Sequence, residues 1–159
     1  EGVPVIRVMS NTPSLVGEGA AAVAGGRAAS DEDIEWAAGI LAAVGEVVVV
    51  PEALLDAVTG LSGSGPAYVF LLAEALMDAG EAEGLPREVA VALTEQTLLG
   101  AATLLSRSDD PAATLRENVT SAGGTTAAGL AVFEAGGFRQ LVSDVVAAAT
   151  ERSRQLGAG

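Results

Sequence analysis

The residues best placed to do chemistry are Val119-Thr120-Ser121-Ala122-Gly123-Gly124-Thr125-Thr126-Ala127-Ala128-Gly129-Leu130, where three hydroxyls and two glycines fall in the six positions Ser121 to Thr126, just ahead of an apolar run. The first turn of a helix leaves main-chain N–H groups unpaired, the macrodipole adds partial positive charge, and glycine lets a ligand reach the main chain. Such a junction suits a small anion, and Ser121, Thr125 and Thr126 add hydroxyl donors. The same residues also make an ordinary Ser/Thr cap with a glycine turn, and taken alone they leave both readings open. A second stretch, Thr59-Gly60-Leu61-Ser62-Gly63-Ser64-Gly65-Pro66-Ala67-Tyr68, again runs from small and hydroxyl residues into an apolar helix. Its Gly63-x-Gly65-x-x-Tyr68 spacing fails as a dinucleotide fingerprint: tyrosine holds the third glycine position, and no apolar strand leads in. A tight turn that lets two helices pack closely is the simpler reading.

Composition narrows the chemistry further. The chain has 159 residues, a formal net charge of -13, and neither His nor Cys. All of its cationic side chains are scattered arginines. Absent histidine, cysteine and lysine remove the usual zinc sets, thiol nucleophiles, imidazole acid/base work and Schiff bases, so metal ligation is not expected. Hydroxyls, main-chain amides, carboxylates, arginine or a bound cofactor remain. Phosphate-backbone binding needs a basic stripe, so no nucleic-acid partner is expected. Half the residues are hydrophobic but only 3% are aromatic, which predicts a core of Ala, Val and Leu with close helix packing.

Positioning those residues requires two kinds of architecture. Val3–Met9, Leu15–Ala24 and Val47–Val50 read as strands, with a helix between the last two that Ser30 and Asp33 cap and Gly45 ends. From Pro51 every apolar repeat has the helical period, predicting helices at 52–58, 64–83, 86–106, 111–118, 125–134 and 138–156. Asp110 is the expected cap of the fourth, with Pro86 and Pro111 in first turns and Gly84 and Gly136-Gly137 at exits. The fold class is therefore mainly α: a helical bundle over residues 51–159, preceded by a short α/β piece over 1–50. The second and third helices are apolar around most of their circumference, more than a lone domain can cover, which predicts a partner subunit. Glu74, Asp78 and Glu95 interrupt or bound their runs before about 18 uncharged residues accumulate, so they read as buried soluble helices and no membrane is expected. Trp36 and Tyr68 are expected to fill core or interface volume. Glu1-Gly2-Val3-Pro4 reads as a segment cut from something longer, and the cytoplasm is the default location.

Arg7-Val8-Met9-Ser10-Asn11-Thr12-Pro13, then Leu61 to Tyr68, then Val119 to Thr126 through Gly129-Leu130, Phe133-Glu134 and Gly136-Gly137-Phe138-Arg139, together resemble pyrroline-5-carboxylate reductase. The likeness runs in order through the chain, and the third block resembles the family's signature. Ser10 and Ala122 stand where the family often has proline, which loosens two turns slightly.

The resemblance implies NADPH- or NADH-dependent reduction of 1-pyrroline-5-carboxylate to L-proline, the last step of proline biosynthesis. It also implies that residues 1–50 are the end of a dinucleotide-binding Rossmann domain whose glycine fingerprint lies outside this sequence. Residues 51–159 would be the dimerisation and substrate domain, pairing with itself, with a ring of dimers as the further assembly. By the same resemblance, Ser121, Gly123, Gly124, Thr125 and Thr126 hold the substrate carboxylate. Thr126 and Thr59 lie at the reacting centre, and Asn118 and Asn11 on the cofactor side. A chain without the fingerprint domain is expected to be inactive alone, and the alternative is a noncatalytic oligomerisation module.

Overall fold

The computed structural model describes residues 2–157 and divides the chain into two compact units, one running to Tyr68 and resuming at Val142, the other Val69–Leu141.

In the first unit, β1 (Ile6–Met9) pairs antiparallel with β2 (Gly19–Gly25), Ile6 opposite Gly25 and Met9 opposite Ala22. β2 then pairs parallel with β3 (Gly45–Val49), Val23 opposite Val49, so α1 (Asp31–Leu41) is the crossover of a strand–helix–strand unit. Ser30 and Asp33 form the expected capping box: Asp33 Oδ2 accepts from Ser30 N at 2.9 Å and from Ser30 Oγ at 2.7 Å, and Asp33 N donates to Ser30 Oγ at 3.2 Å. Those bonds, the hydroxyl's first, hold the Asp33 carboxyl below the usual carboxylate range. Strand alternation sends Gly25 and Val23 to the face that α1 covers, where a Cβ on Gly25 would meet the Ile34 side chain. Ala22 and Ala24 point the other way and pack with Leu55, flanked by Met9, Val50 and Val58.

That second face is closed by α2 (Leu55–Val58), which continues without a break into a π-helical turn, Thr59–Gly63. The C-terminal part of α7 (Phe138–Gly157) rests on this turn. Gly60 is buried there because any larger residue would collide: a Cβ would meet Thr150 Oγ1 and come 2.8 Å from the Val146 carbonyl oxygen. Ser153 Oγ secures the same junction by donating to Asp56 Oδ1 at 2.6 Å.

Two expectations need correction in this unit. Leu15 and Val16, read as strand, lie in a 3-10 turn (Thr12–Val16) because Pro13 fixes φ at its start, and β2 begins only at Gly19. The stretch Thr59–Gly63, read as a loop, is helical: Ser64 N reaches back to Thr59 O at 2.8 Å. Of the two rings expected in core or interface volume, Trp36 is 71% exposed within the chain, while Tyr68 is partly buried and its hydroxyl donates to Gly60 O at 3.0 Å.

The second unit contains the greater part of α3 (Gly65–Ala82), then α4 (Arg87–Arg107), α5 (Ala112–Asn118) and α6 (Thr125–Ala135), each within two residues of its expected bounds. Asp110 does not cap α5. Pro111, extended at ψ 153, occupies that position, and the Asp110 amide turns to Ser108 Oγ at 3.1 Å. Arg87 at the head of α4 pairs with Asp78 and Glu81 of α3, and the Asp78 hydrogen bond is the first cause that raises its pKa. Among the described residues of this unit only Ala90 and Thr94 are buried. Leu76, Gly80, Leu85, Ala90, Leu93 and Thr94 are among the residues lining an apolar cavity of about 170 Å³. The expectation that α3 and α4 are buried thus fails for the single chain, since Phe70, Leu71, Leu99 and Leu104 are all more than half exposed. By length and composition α4 also passes as a candidate membrane span, although Glu95 interrupts its uncharged run as expected.

Candidate functional site

The turn between α5 and α6 is built by a short series of main-chain bonds. Thr120 closes α5, its amide donating to Glu117 O at 2.9 Å and its hydroxyl to Arg116 O at 2.6 Å. Ser121 O then accepts from Gly124 N at 3.0 Å, and Gly123 takes a left-handed conformation, φ +71°, that favours glycine. Within α6 the first amide to find a carbonyl is Ala128 N, on Gly124 O at 3.1 Å. Gly124 sits at the cap position and carries no side chain to cap with.

The consequence is a set of free donors. The amides of Thr125, Thr126 and Ala127, and the hydroxyls of Ser121, Thr125 and Thr126, have no acceptor among the described residues. Ser121, Gly123, Thr125 and Thr126 are exposed. Only the Gly124 amide, of the nitrogens that the anion reading invokes, is spent on the turn itself. Asn118 ends α5 and is exposed, and its side-chain amide has no hydrogen-bond partner among the described residues.

Thr59 and Asn11 belong to the first unit and are described within it. The Thr59 hydroxyl donates to Leu55 O at 2.8 Å, which spends its proton and leaves its lone pairs to accept. Ser62 Oγ makes the equivalent bond to Val58 O at 3.2 Å. Asn11 lines a cleft of about 370 Å³ with Ser10, Thr12, Ser14, Leu15 and Gly63. That volume is at the small end for a ligand cleft. Its walls offer the hydroxyls of Ser10, Thr12 and Ser14, none hydrogen-bonded among the described residues, so the donor set suits a nicotinamide ring with its carboxamide and ribose. The family resemblance pointed to Asn11 alone; the neighbouring hydroxyls of Ser10, Thr12 and Ser14, three within five positions of a strand's end, were not singled out from the sequence.

The family described as pyrroline-5-carboxylate reductase dimerisation matches residues 52–156. The chain belongs to that family. A pyrroline-5-carboxylate reductase of Arabidopsis thaliana is 51% identical over 151 residues, which are 95% of this chain and 55% of the plant protein. A solved pyrroline-5-carboxylate reductase from Coxiella burnetii superposes with a TM-score of 0.93 at 41% identity, over 96% of this chain and 57% of that one. The pyrroline carboxylate reductase of Plasmodium falciparum, solved with NADP bound, gives 0.89 at 38% identity over 97% and 62%. The chain therefore spans a little over half the length of these family members. The fold class expected from the sequence holds: a helical dimerisation region preceded by a short α/β segment.

Proposed function

We propose that this chain is the dimerising and substrate-binding portion of an NAD(P)H-dependent pyrroline-5-carboxylate reductase, reducing 1-pyrroline-5-carboxylate to L-proline. In this reading residues 1–50 end a dinucleotide-binding domain and residues 51–159 form the helical domain. The observation that carries it is the row of unpaired donors at the head of α6, in a protein otherwise strongly acidic. A carboxylate docked on the Thr125, Thr126 and Ala127 amides meets the positive end of the helix, and the chain's overall negative charge is screened over about 10 Å.

The reduced nicotinamide, when bound, supplies the hydride. Everything asked of the protein is placement and hydrogen bonding, in keeping with its lack of imidazole, thiol and lysine. Ser121, Gly123 and Thr125 hold and orient the carboxylate, and Gly124, whose amide is committed to Ser121 O, closes the turn that presents them. The Thr126 hydroxyl donates to the ring nitrogen, and as hydride adds to the neighbouring carbon that nitrogen takes up one proton from solvent, so C=N becomes CH–NH. Thr59 acts as an acceptor at the reacting centre, its own proton being committed to Leu55 O. Asn118 and Asn11 serve the cofactor side. The partner is a second copy of the chain, and the compartment is the cytoplasm.

Calorimetric titration of L-proline tests this directly. The wild-type chain is expected to bind, and Thr126→Val to weaken binding about tenfold or more through loss of a hydrogen bond to a charged ligand. Equal affinities in the two proteins would refute the role of Thr126. A second reading, a purely associative module, draws on the near absence of buried residues in the second unit; it is favoured if neither protein binds proline yet both dimerise.

A further inference from the structure

Asn11 follows closely on β1, and its side-chain amide is engaged at both ends inside the chain. Nδ2 donates to Ser62 O at 3.1 Å, and Oδ1 accepts from Ala20 N at 2.9 Å. One carboxamide thereby ties together the end of β1, the start of β2 and the π-helical turn. These are the segments that carry the cleft's walls, with Ser10, Thr12, Ser14 and Leu15 on one side and Gly63, next to Ser62, on the other. Met9 lies close to the turn as well, since a Cβ added at Gly63 would come 3.2 Å from Met9 Sδ. The Asn11–Ser62 bond limits how far the walls part.

We propose that Asn11 is the positioning residue of this cleft: it fixes the π-helical turn against β1 and acts on a bound nicotinamide through Ser62 and Gly63, not by touching the ring. This rests on the reading that the cleft takes the nicotinamide end of the cofactor. Nothing titratable is bonded to the Asn11 side chain. The charged groups on the elements around it are Arg7 and Glu52, paired with each other at 2.8 Å, Glu18 ahead of β2, Glu46 of β3 opposite Ala20, Asp56 of α2, which is bonded to Ser153, and Asp144, Glu151, Arg152 and Arg154 of α7.

The test uses the full 159-residue chain and two independent readouts. Amide hydrogen exchange at Ala20 and Ser64 reports the staple and the π-helical turn, and titration with reduced nicotinamide mononucleotide reports the cleft. Asn11→Ala is expected to speed exchange at both amides by about tenfold, the value of one net hydrogen bond, and to weaken the mononucleotide by a similar factor. Asn11→Asp keeps the acceptor for Ala20 N but sets a carboxylate against the Ser62 carbonyl oxygen. Relative to wild type at the same pH, both readouts should be impaired at about pH 7.5. Both should recover as the pH falls toward the carboxylate range, where the protonated acid can donate to Ser62 O. If Asn11→Ala abolishes mononucleotide binding while exchange at Ala20 and Ser64 stays at the wild-type rate, Asn11 touches the ligand and the proposal is overturned. The absence of recovery in Asn11→Asp at low pH overturns it as well. Failure of the wild type to bind the mononucleotide removes the cofactor reading of the cleft, and the exchange rates alone then decide whether Asn11 positions the turn.

Discussion

The two units differ in what they can bury by themselves. In the first, a three-stranded sheet is covered on one face by α1 and on the other by Leu55 and its neighbours, so Ala21 to Ala24 are almost wholly withdrawn from water. The second has helices of 18 and 21 residues among its elements and buries only Ala90 and Thr94 among the described residues. A sheet strand is covered from both faces by local connections, as when the segment after β2 folds back as α1. Apolar helices joined by short turns have no such recourse, and their packing surface must come from elsewhere. The family's description as a dimerisation region matches this asymmetry. The first unit thus closes its core within one chain, and the second leaves apolar helix faces that the proposed second copy would cover.

The largest effect should follow from attacking the exposed apolar side of α4. Leu99 is 63% exposed within one chain, so Leu99→Arg costs the isolated chain little. Against a second copy it would bury an unpaired charge, at about 3–5 kcal/mol. Sedimentation at micromolar concentration is expected to show a dimer for wild type and a monomer for the variant, with the sheet of the first unit still protected from hydrogen exchange. A variant that remains dimeric would mean that this side of α4 faces water and that the contrast between the units has another origin.

An intermediate effect is expected inside the first unit. Gly60→Ala drives a methyl toward the Val146 carbonyl oxygen and Thr150, and overpacking of this kind costs about 1–3 kcal/mol. Urea denaturation should show lower stability, while sedimentation should show the wild-type assembly. Loss of assembly along with stability would show that the π-helical turn supports both units.

The same contrast explains how much of the molecule could be read from sequence. Periodicity located every helix after Pro51 closely, because helical spacing is written locally in Leu, Val and Ala. The Ser30–Asp33 box was legible for the same reason. At Thr59–Gly63 the glycines and hydroxyls suggested a loop, yet Gly60 is glycine because α7, nearly ninety positions away, lies against it, and the Thr59 and Ser62 hydroxyls bond back into their own helix. Asp110 looked like the better cap, but Pro111 is already extended and takes the position. Burial was the least legible property, since Trp36 and the apolar sides of α3 and α4 have a composition suited to a core that one chain does not enclose. At the candidate site the donors of Ser121 to Thr126 were readable as residue types, whereas the engagement of Asn11 with Ser62 and Ala20 depends on contacts that only the fold creates.

The smallest expected effect concerns the box that starts α1. Asp33 is held below its ordinary pKa by its bonds to Ser30, side chain first and main chain second, so its charged form is favoured in the folded state. A carboxyl with a depressed folded pKa stabilises the protein above its unfolded pKa, and that contribution disappears as the pH falls through the folded value. Asp33→Asn retains an oxygen to accept from Ser30 but never carries the charge. Its thermal midpoint should therefore lie slightly below wild type at neutral pH, and the two curves should converge in acid once Asp33 is protonated. The shift should be smaller than that of Gly60→Ala because the box is exposed to solvent. It should appear only in the first unit, leaving the assembly of the second unchanged. A gap of constant size from neutral to acid pH would assign the effect to side-chain shape instead of charge, and would separate the stability of α1 from the ionisation of Asp33.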